Sequence, residues 1–401
     1  MLNRNLSLLF FCQLIAVTGS VVMVTLGSII GAQLTTSPAL ATLPISLTIV
    51  TTAVTTIPAA IFMRRYGRRW GFALGCVTAM AAALLTLVAI GRASFVGFTC
   101  AMALFGINMA FAQQYRFAAI ESAEPSFAGR AVSFVLLGAV GGALLGPTLV
   151  KYSSTMSPDA PYGLAMGAIA GCYLLALLLV LGLNFAKSQV KAERESTGRP
   201  LSAIVRQPVF IVAVFGGTIG YGVMSFLMTA TPLSMHEVDG YSLAQTAGVI
   251  QAHVLGMYLP SLVSGWLIDR LGVVKMMIVG ALTLVGALAT GMDGHTMGHY
   301  TVSLILLGVG WNFLYVGGTT MLTFSYKDSE RFRAQAVNEF CVFGTAASAS
   351  LLAGTTMHWF GWFTTAAVPL PLLAVVLLAL FWVRTDPLLR RAAPAAGPAA
   401  D

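Results

Sequence analysis

The chain has 401 residues, 57% of them hydrophobic and only 9% charged, with 22 Lys and Arg against 14 Asp and Glu for a formal net charge of +8. Its mean hydropathy is +0.85. Soluble domains carry about 25% charged residues, so a water-soluble fold is excluded, and the basic excess must be explained by where the charges fall along the chain.

Twelve apolar windows follow one another: 6–31, 39–63, 71–91, 93–115, 131–150, 161–186, 208–236, 241–268, 276–292, 300–326, 334–357 and 359–383. Each approaches or exceeds the ~20 residues that a helix needs to cross ~30 Å of hydrocarbon. None alternates at every second residue as a barrel strand does. The expected fold is therefore an all-α membrane protein of twelve transmembrane helices. The first window is too long for a signal-peptide core and reads as the first span. With the N-terminus inside, 20 of the 22 basic residues lie on one side: Arg4; Arg64, Arg65, Arg68 and Arg69; Arg116 and Arg130; Lys187, Lys191, Arg194, Arg199 and Arg206; Arg270 and Lys275; Lys327, Arg331 and Arg333; Arg384, Arg390 and Arg391. Arg92 and Lys151 fall on the other. That asymmetry predicts both termini in the cytoplasm. The basic charge is topological, so the expected surroundings are a lipid bilayer, with no nucleic-acid partner.

The longest polar interruption, Lys187 to Gln207, divides the windows six and six. It predicts an N-terminal six-helix lobe over 1–186, a cytoplasmic linker over 187–207, a C-terminal six-helix lobe over 208–385 and a loose tail over 386–401. The halves also repeat. Gly67 and Gly272 are 205 positions apart, Gly106 and Asn108 match Gly310 and Asn312 at 204, and Arg130-Ala131 matches Arg333-Ala334 at 203. Matches at nearly one offset argue for parallel six-helix repeats. The five cysteines, Cys12, Cys76, Cys100, Cys172 and Cys341, lie in separate spans without a Cys-x-x-Cys pair, so they read as apolar helix fillers.

Gly265-x-x-x-Asp269-Arg270-x-Gly272 resembles the loop signature of the major facilitator superfamily. The resemblance implies that family's two-lobed fold and alternating access by rocking, with Asp269, Arg270 and Gly272 as gating residues. The first-half copy differs, with Ala60 in place of Gly and Arg64 in place of Asp. Gly138-x-x-Gly141-Gly142-x-x-x-Gly146-Pro147 is similar to a glycine-proline motif of antiporters, and close helix packing explains it equally well. No nucleophile–base arrangement appears, so no enzyme activity and no catalytic residues are expected.

His253 and Glu339 are the ionisable side chains within the windows that stand out as coupling candidates, because a titratable group in a bilayer is expensive. Glu339 lies six residues inside Arg333 and could instead pair locally with Arg333 or Arg331. Met224 and Met228 are four apart, as are His253 and Met257, and side chains four apart share a helix face. Thioether and imidazole together suit copper. These paired motifs resemble the subfamily of CcoA-like copper importers and RfnT-like riboflavin transporters. That resemblance implies a bacterial inner-membrane importer with Met224, Met228, His253 and Met257 as metal ligands. The stretch from Thr229 to Ala252 has no Cys, where the copper importers carry one. The alternative cargo, riboflavin, requires stacking surfaces and hydrogen-bond partners. Phe105, Asn108, Phe111, Gln113 and Gln114 could supply them from the fourth window, and Trp311, Asn312, Phe313 and Tyr315 from the tenth. The sequence reading puts copper import first and riboflavin import second. A drug–proton antiporter and a non-transporting sensor come behind, since the spans the resemblance assigns to the cavity hold no carboxylates and no soluble domain is appended. No bound cofactor is expected, copper entering only as cargo, and the expected state is a monomer.

Overall fold

A computed structural model describes residues 3–123, 128–156, 162–185, 198–327 and 330–392. The helices are α1 (Arg4–Leu34), α2 (Leu43–Tyr66), α3 (Arg68–Gly91), α4 (Phe95–Ala112), α5 (Tyr115–Glu121), α6 (Ala128–Met156), α7 (Gly163–Leu181), α8 (Leu201–Val205), α9 (Pro208–Pro232), α10 (Leu243–Tyr258), α11 (Ser261–Leu271), α12 (Val273–Asp293), α13 (Met297–Thr323), α14 (Arg331–Ala367), α15 (Leu370–Val383) and α16 (Pro387–Ala392). Among the described residues, eleven helical stretches are long and apolar enough to cross a bilayer. The expected windows 334–357 and 359–383 share the last of these, the 51-residue run Arg333–Val383. Gly361 breaks that run at φ +72°, a left-handed conformation that a Cβ disfavours. α10 and α11 form one stretch, Leu243–Ile268, interrupted near Pro260, whose ring removes a backbone donor.

Buried apolar side chains collect in two cores. One is drawn mainly from α1 to α7, with Leu6, Phe72, Cys76, Phe105 and Tyr173. The other is drawn mainly from α8 to α16, with Leu227, Met277, Leu307, Leu314 and Leu380. The exceptions mark where the halves meet: Val17 and Val21 of α1 and Ala139 and Ala143 of α6 join the second core, while Leu243 and Ala247 of α10 join the first. In lipid, such association rests on close packing rather than on hydrophobic burial, which favours small residues at contacts. α6 supplies them. A Cβ on Gly138 would run into the Phe10 carbonyl, one on Gly142 would meet the Leu14 carbonyl at 2.6 Å, and one on Gly146 the Val21 side chain at 2.9 Å. The glycine-proline motif is thus the α1–α6 contact. Large apolar residues such as Val54, Ile57, Leu178, Leu378 and Trp382 remain exposed, as a lipid-facing surface requires.

The sequence repeat reappears as a repeat of backbone conformation. Gly67 (φ +90°, ψ 155°) ends α2 and starts α3, and Gly272 (φ +83°, ψ 151°) ends α11 and starts α12. Each donates its N–H back to the preceding helix at 2.8 Å, to the Met63 and Ile268 carbonyls respectively. Both turns lie on the face carrying the basic loops. Hydrogen bonds between the halves cluster toward the opposite face. Ser46 of α2 donates to Ser350 of α14 at 3.2 Å, a hydroxyl that Thr229 of α9 also meets at 3.1 Å from within the second half. Thr42 donates to the Leu351 carbonyl at 3.3 Å, Gln251 to the Leu144 carbonyl at 3.1 Å, and Gln33 to Glu237 at 3.4 Å.

The linker positions 187–197 and tail positions 393–401 lie outside the described residues. The rest of the linker is docked on the second half. Arg199 donates through Nε and Nη2 to the buried Glu330 carboxylate at 2.9 and 2.7 Å, and Gln207 donates to the Ser325 carbonyl at 2.8 Å. The tail, expected to be loose from 386, begins as the helix α16; Asp386 Oδ1 accepts from the Leu388 N–H and caps it.

Candidate substrate site

Ser242 and Gln245 start α10 with a reciprocal capping box, which satisfies backbone donors that would otherwise be stranded. Two glycines then bring α10 against α13. A Cβ on Gly308 would meet the His253 carbonyl at 2.5 Å, and one on Gly256 the Ile305 carbonyl at 2.8 Å. This contact puts the fully buried His253 ring beside α13, with Nδ1 2.8 Å from the Leu304 carbonyl. A carbonyl can only accept, so Nδ1 carries the proton, and Nε2 is left with a lone pair. Nε2 is buried and has no hydrogen-bond partner.

Met257 stands one turn further along α10 and is buried, Met224 on α9 is buried, and Met228 is half-buried. α9 packs chiefly on α14 and α13, whereas α10 packs chiefly on α13 and α6. The two motifs therefore belong to helices that share α13 as a neighbour. Among the described residues, no three His, Cys, Asp or Glu side chains are grouped to hold a metal ion.

Asn108 and Asn312, both candidate cargo-binding amides, are spent inside their own halves. Asn108 donates to the Gly75 carbonyl at 2.9 Å and accepts from Tyr173 at 2.9 Å. Asn312 donates to the Met257 carbonyl at 2.8 Å and to Ser261 at 2.6 Å, and accepts from Ser264 at 2.6 Å. Buried amides must be satisfied, and here they brace α4 to α3 and α7, and α13 to α10 and α11. Phe105 and Phe111 pack within the first core. Gln113 and Gln114 are half-buried at the break between α4 and α5.

Trp311 and Tyr315 have a different situation. One turn apart on α13, their rings stack nearly parallel, with centroids 5.1 Å apart and planes at 10°. Tyr221 of α9 meets both edge-on at 5.6 Å, and Phe343 of α14 at 5.8 Å. Three helices thus contribute four rings to one cluster. The Trp311 indole N–H is buried without a hydrogen-bond partner. Glu339 of α14, one turn before Phe343, is close enough to act electrostatically on Tyr221 and Tyr315. Arg116 of α5, from the other half, acts on both Glu339 and Tyr315. The charge acting on Glu339 comes from across the molecule; of its two expected local partners, Arg333 is exposed and the Arg331 side chain lies outside those described.

At the basic loops, Arg270 is exposed with its guanidinium 5.1 Å from the Trp266 ring centroid. The Asp269 side chain lies outside those described. In the first half, where the signature lacks its acid, Arg68 forms a two-pronged pair with Glu121 at 2.6 and 2.5 Å.

Tyr221, Phe343 and Arg116 carry this site, yet no sequence argument singled them out. In the sequence Arg116 reads as topological charge, and Tyr221 is one aromatic residue in an apolar run. A four-ring cluster from three helices has no signature in local spacing.

Comparison with known proteins places these features in a family. The family model described as Major Facilitator Superfamily matches residues 7–259 and 240–400. The riboflavin transporter RfnT of Brucella anthropi is 36% identical over 380 residues, covering 94% of this chain and 95% of that one. Among solved structures, the nucleoside transporter NupG matches with a TM-score of 0.73 at 14% identity, over 95% of this chain and 100% of that one. A bacterial metal transporter matches with a TM-score of 0.68 at 13% identity, over 95% and 99%. At such identities the two structures speak for the fold alone. Two halves, a repeated glycine turn and a family match across both establish that the chain belongs to the major facilitator superfamily of secondary transporters and is not an enzyme.

Proposed function

We propose that the protein imports riboflavin, or a flavin closely similar to it, across the bacterial inner membrane. The observation that carries this reading is the cluster of Tyr221, Trp311, Tyr315 and Phe343, with the Trp311 N–H unsatisfied. Isoalloxazine is a flat heteroaromatic system with carbonyl and ring-nitrogen acceptors along one edge. Aromatic faces gain by stacking on it, and a buried indole N–H gains by donating to it. The 36% identity to a riboflavin transporter supports the same cargo. In this reading the chain crosses the membrane twelve times, with both termini cytoplasmic, 1–186 and 208–385 as rocking lobes and 187–207 as their tether. Asp269, Arg270 and Gly272 form the gating loop, and Glu339 couples transport by exchanging Arg116 for a proton. Radiolabelled riboflavin uptake by a riboflavin-requiring bacterium making the protein is the test. Uptake with wild type and its loss with Trp311→Ala support the reading; no uptake by well-expressed wild type would sink it.

Copper import becomes the second reading, the order of the sequence analysis being reversed by the aromatic cluster and the flavin-transporting relative. What favours it is His253 Nε2, a buried lone pair without a donor and suited to a soft metal. Copper uptake that falls with His253→Ala and Met257→Leu, without riboflavin uptake, would restore it to first place.

A further inference from the structure

The first half has an open groove of about 560 Å³ between α2, α3 and α7, far from the four-ring cluster in sequence and lined by Phe62, Tyr66, Trp70, Leu74, Val77 and Leu177 among others. Every lining side chain is aliphatic or aromatic. Such a volume takes a chain of roughly fifteen to twenty methylene groups, each about the size of a water's ~30 Å³ share of liquid. The groove ends at the Gly67 turn, on the basic face, where Tyr66 and Trp70 are its outermost rings and both are exposed. Two exposed cations stand there. The Arg65 guanidinium lies 5.4 Å from the Tyr66 centroid, and that of Arg69 lies 6.0 Å from Trp70. Arg68, between them in sequence, points elsewhere and is held by Glu121.

The second half serves as an internal control. At the repeat offset of the two turn glycines, Arg65 corresponds to Arg270, but Tyr66 corresponds to Leu271, Arg69 to Val274 and Trp70 to Lys275. The fold therefore demands neither the second arginine nor the pair of rings. Tyr and Trp favour the membrane–water boundary, and basic pockets between spans on the basic side suit lipid headgroups.

We infer that the groove between α2, α3 and α7 is a binding site for an anionic phospholipid, with one acyl chain along the apolar wall and the phosphate between Arg65 and Arg69. Free phosphate would use the cations alone, and a zwitterionic lipid would bring its own ammonium to a doubly cationic mouth and forfeit part of the attraction. An anionic phospholipid uses both. The site does not depend on which cargo is carried.

Native mass spectrometry of the purified full-length protein in detergent tests this, with phosphatidylglycerol and phosphatidylcholine of identical chains as probes. Wild type should retain phosphatidylglycerol in preference to phosphatidylcholine. The double variant Arg65→Gln/Arg69→Gln should bind phosphatidylglycerol roughly ten- to thirty-fold more weakly, two surface cations being lost. Leu74→Trp, which fills the groove and leaves the charge unchanged, should weaken it as well. Excess inorganic phosphate should not displace the lipid. Equal retention of the two lipids, unchanged binding by either variant, or displacement by phosphate would each overturn the assignment.

Discussion

Trp311 separates stacking from hydrogen bonding within one side chain. Replacing it by Phe keeps a ring against Tyr315 and removes the N–H. A buried neutral hydrogen bond contributes about 0.5–1.5 kcal/mol, so Trp311→Phe should raise the KM for riboflavin uptake by about two- to tenfold. Trp311→Ala, which also forfeits stacking, should raise it further. A Phe variant indistinguishable from wild type in a concentration series would show that the N–H has no role in recognition. Glu330 provides a second residue-scale case, on the linker side of the molecule. The Arg199 guanidinium, with the Lys327 N–H and the Arg199 N–H behind it, holds this carboxyl well below the usual carboxylate range. A depressed folded-state pKa means that the pair stabilises the protein fully above the unfolded value of about 4.3. That contribution disappears as pH falls through the lower folded value. Melting temperature should therefore be level near neutrality and drop below about pH 4. Glu330→Gln should melt lower at pH 7 and lose that component of the acid dependence.

Helix α6 shows how one element can read as a motif and act as a packing surface. Its glycines stand against α1 so closely that a Cβ at Gly142 would meet Leu14 O at 2.6 Å, Val17 Cβ at 2.7 Å and Thr18 N at 2.9 Å. Two of those atoms are backbone and cannot rotate away. We expect Gly142→Leu to separate the helices and cost more than the ~1–3 kcal/mol usual for overpacking, seen as a lower melting temperature in detergent. Gly171 on α7 has nothing within 4 Å of its Cβ position, so Gly171→Ala should leave stability unchanged or raise it by up to about 1 kcal/mol. Equal effects at the two sites would contradict the packing role of the stripe. The same logic governs α10 and α13, where Gly256 and Gly308 permit the approach that sets His253 against Leu304.

For the whole molecule, the Ser46–Ser350 and Thr42–Leu351 hydrogen bonds form a seam between the halves on the face opposite the basic loops. Transport by rocking requires that seam to open. A Cβ at Gly354 would lie 3.3 Å from Thr42 Cβ, close to the ~3.5–4.5 Å of a disulfide. The double variant Thr42→Cys/Gly354→Cys should form a bond on oxidation that blocks uptake, with recovery on reduction and no sensitivity to oxidant in either single variant. Undiminished uptake by the cross-linked protein would show that the seam never parts.

Amphipathic logic made much of this architecture legible beforehand. Segments that must satisfy their own backbone in lipid declare themselves as long apolar runs, and the match of Gly67 to Gly272 was visible as a repeat, with the structure adding the positive-φ turn that explains it. His253 was conspicuous because an ionisable group in an apolar run has a cost that needs an explanation. Asn108 and Asn312 were just as visible, but local sequence cannot say whether an amide faces a cargo or a neighbouring carbonyl. The structure turned both inward. Arg116 came within electrostatic reach of Glu339, and Tyr221 met Trp311, only when separate helices converged. By itself the sequence determined the membrane-spanning helices, the two-fold repeat and the turns, because these follow from solvation and from backbone conformation within a few residues. Tertiary structure decided the site, because its rings and charges come from α5, α9, α13 and α14, and their meeting depends on packing between helices far apart in the chain.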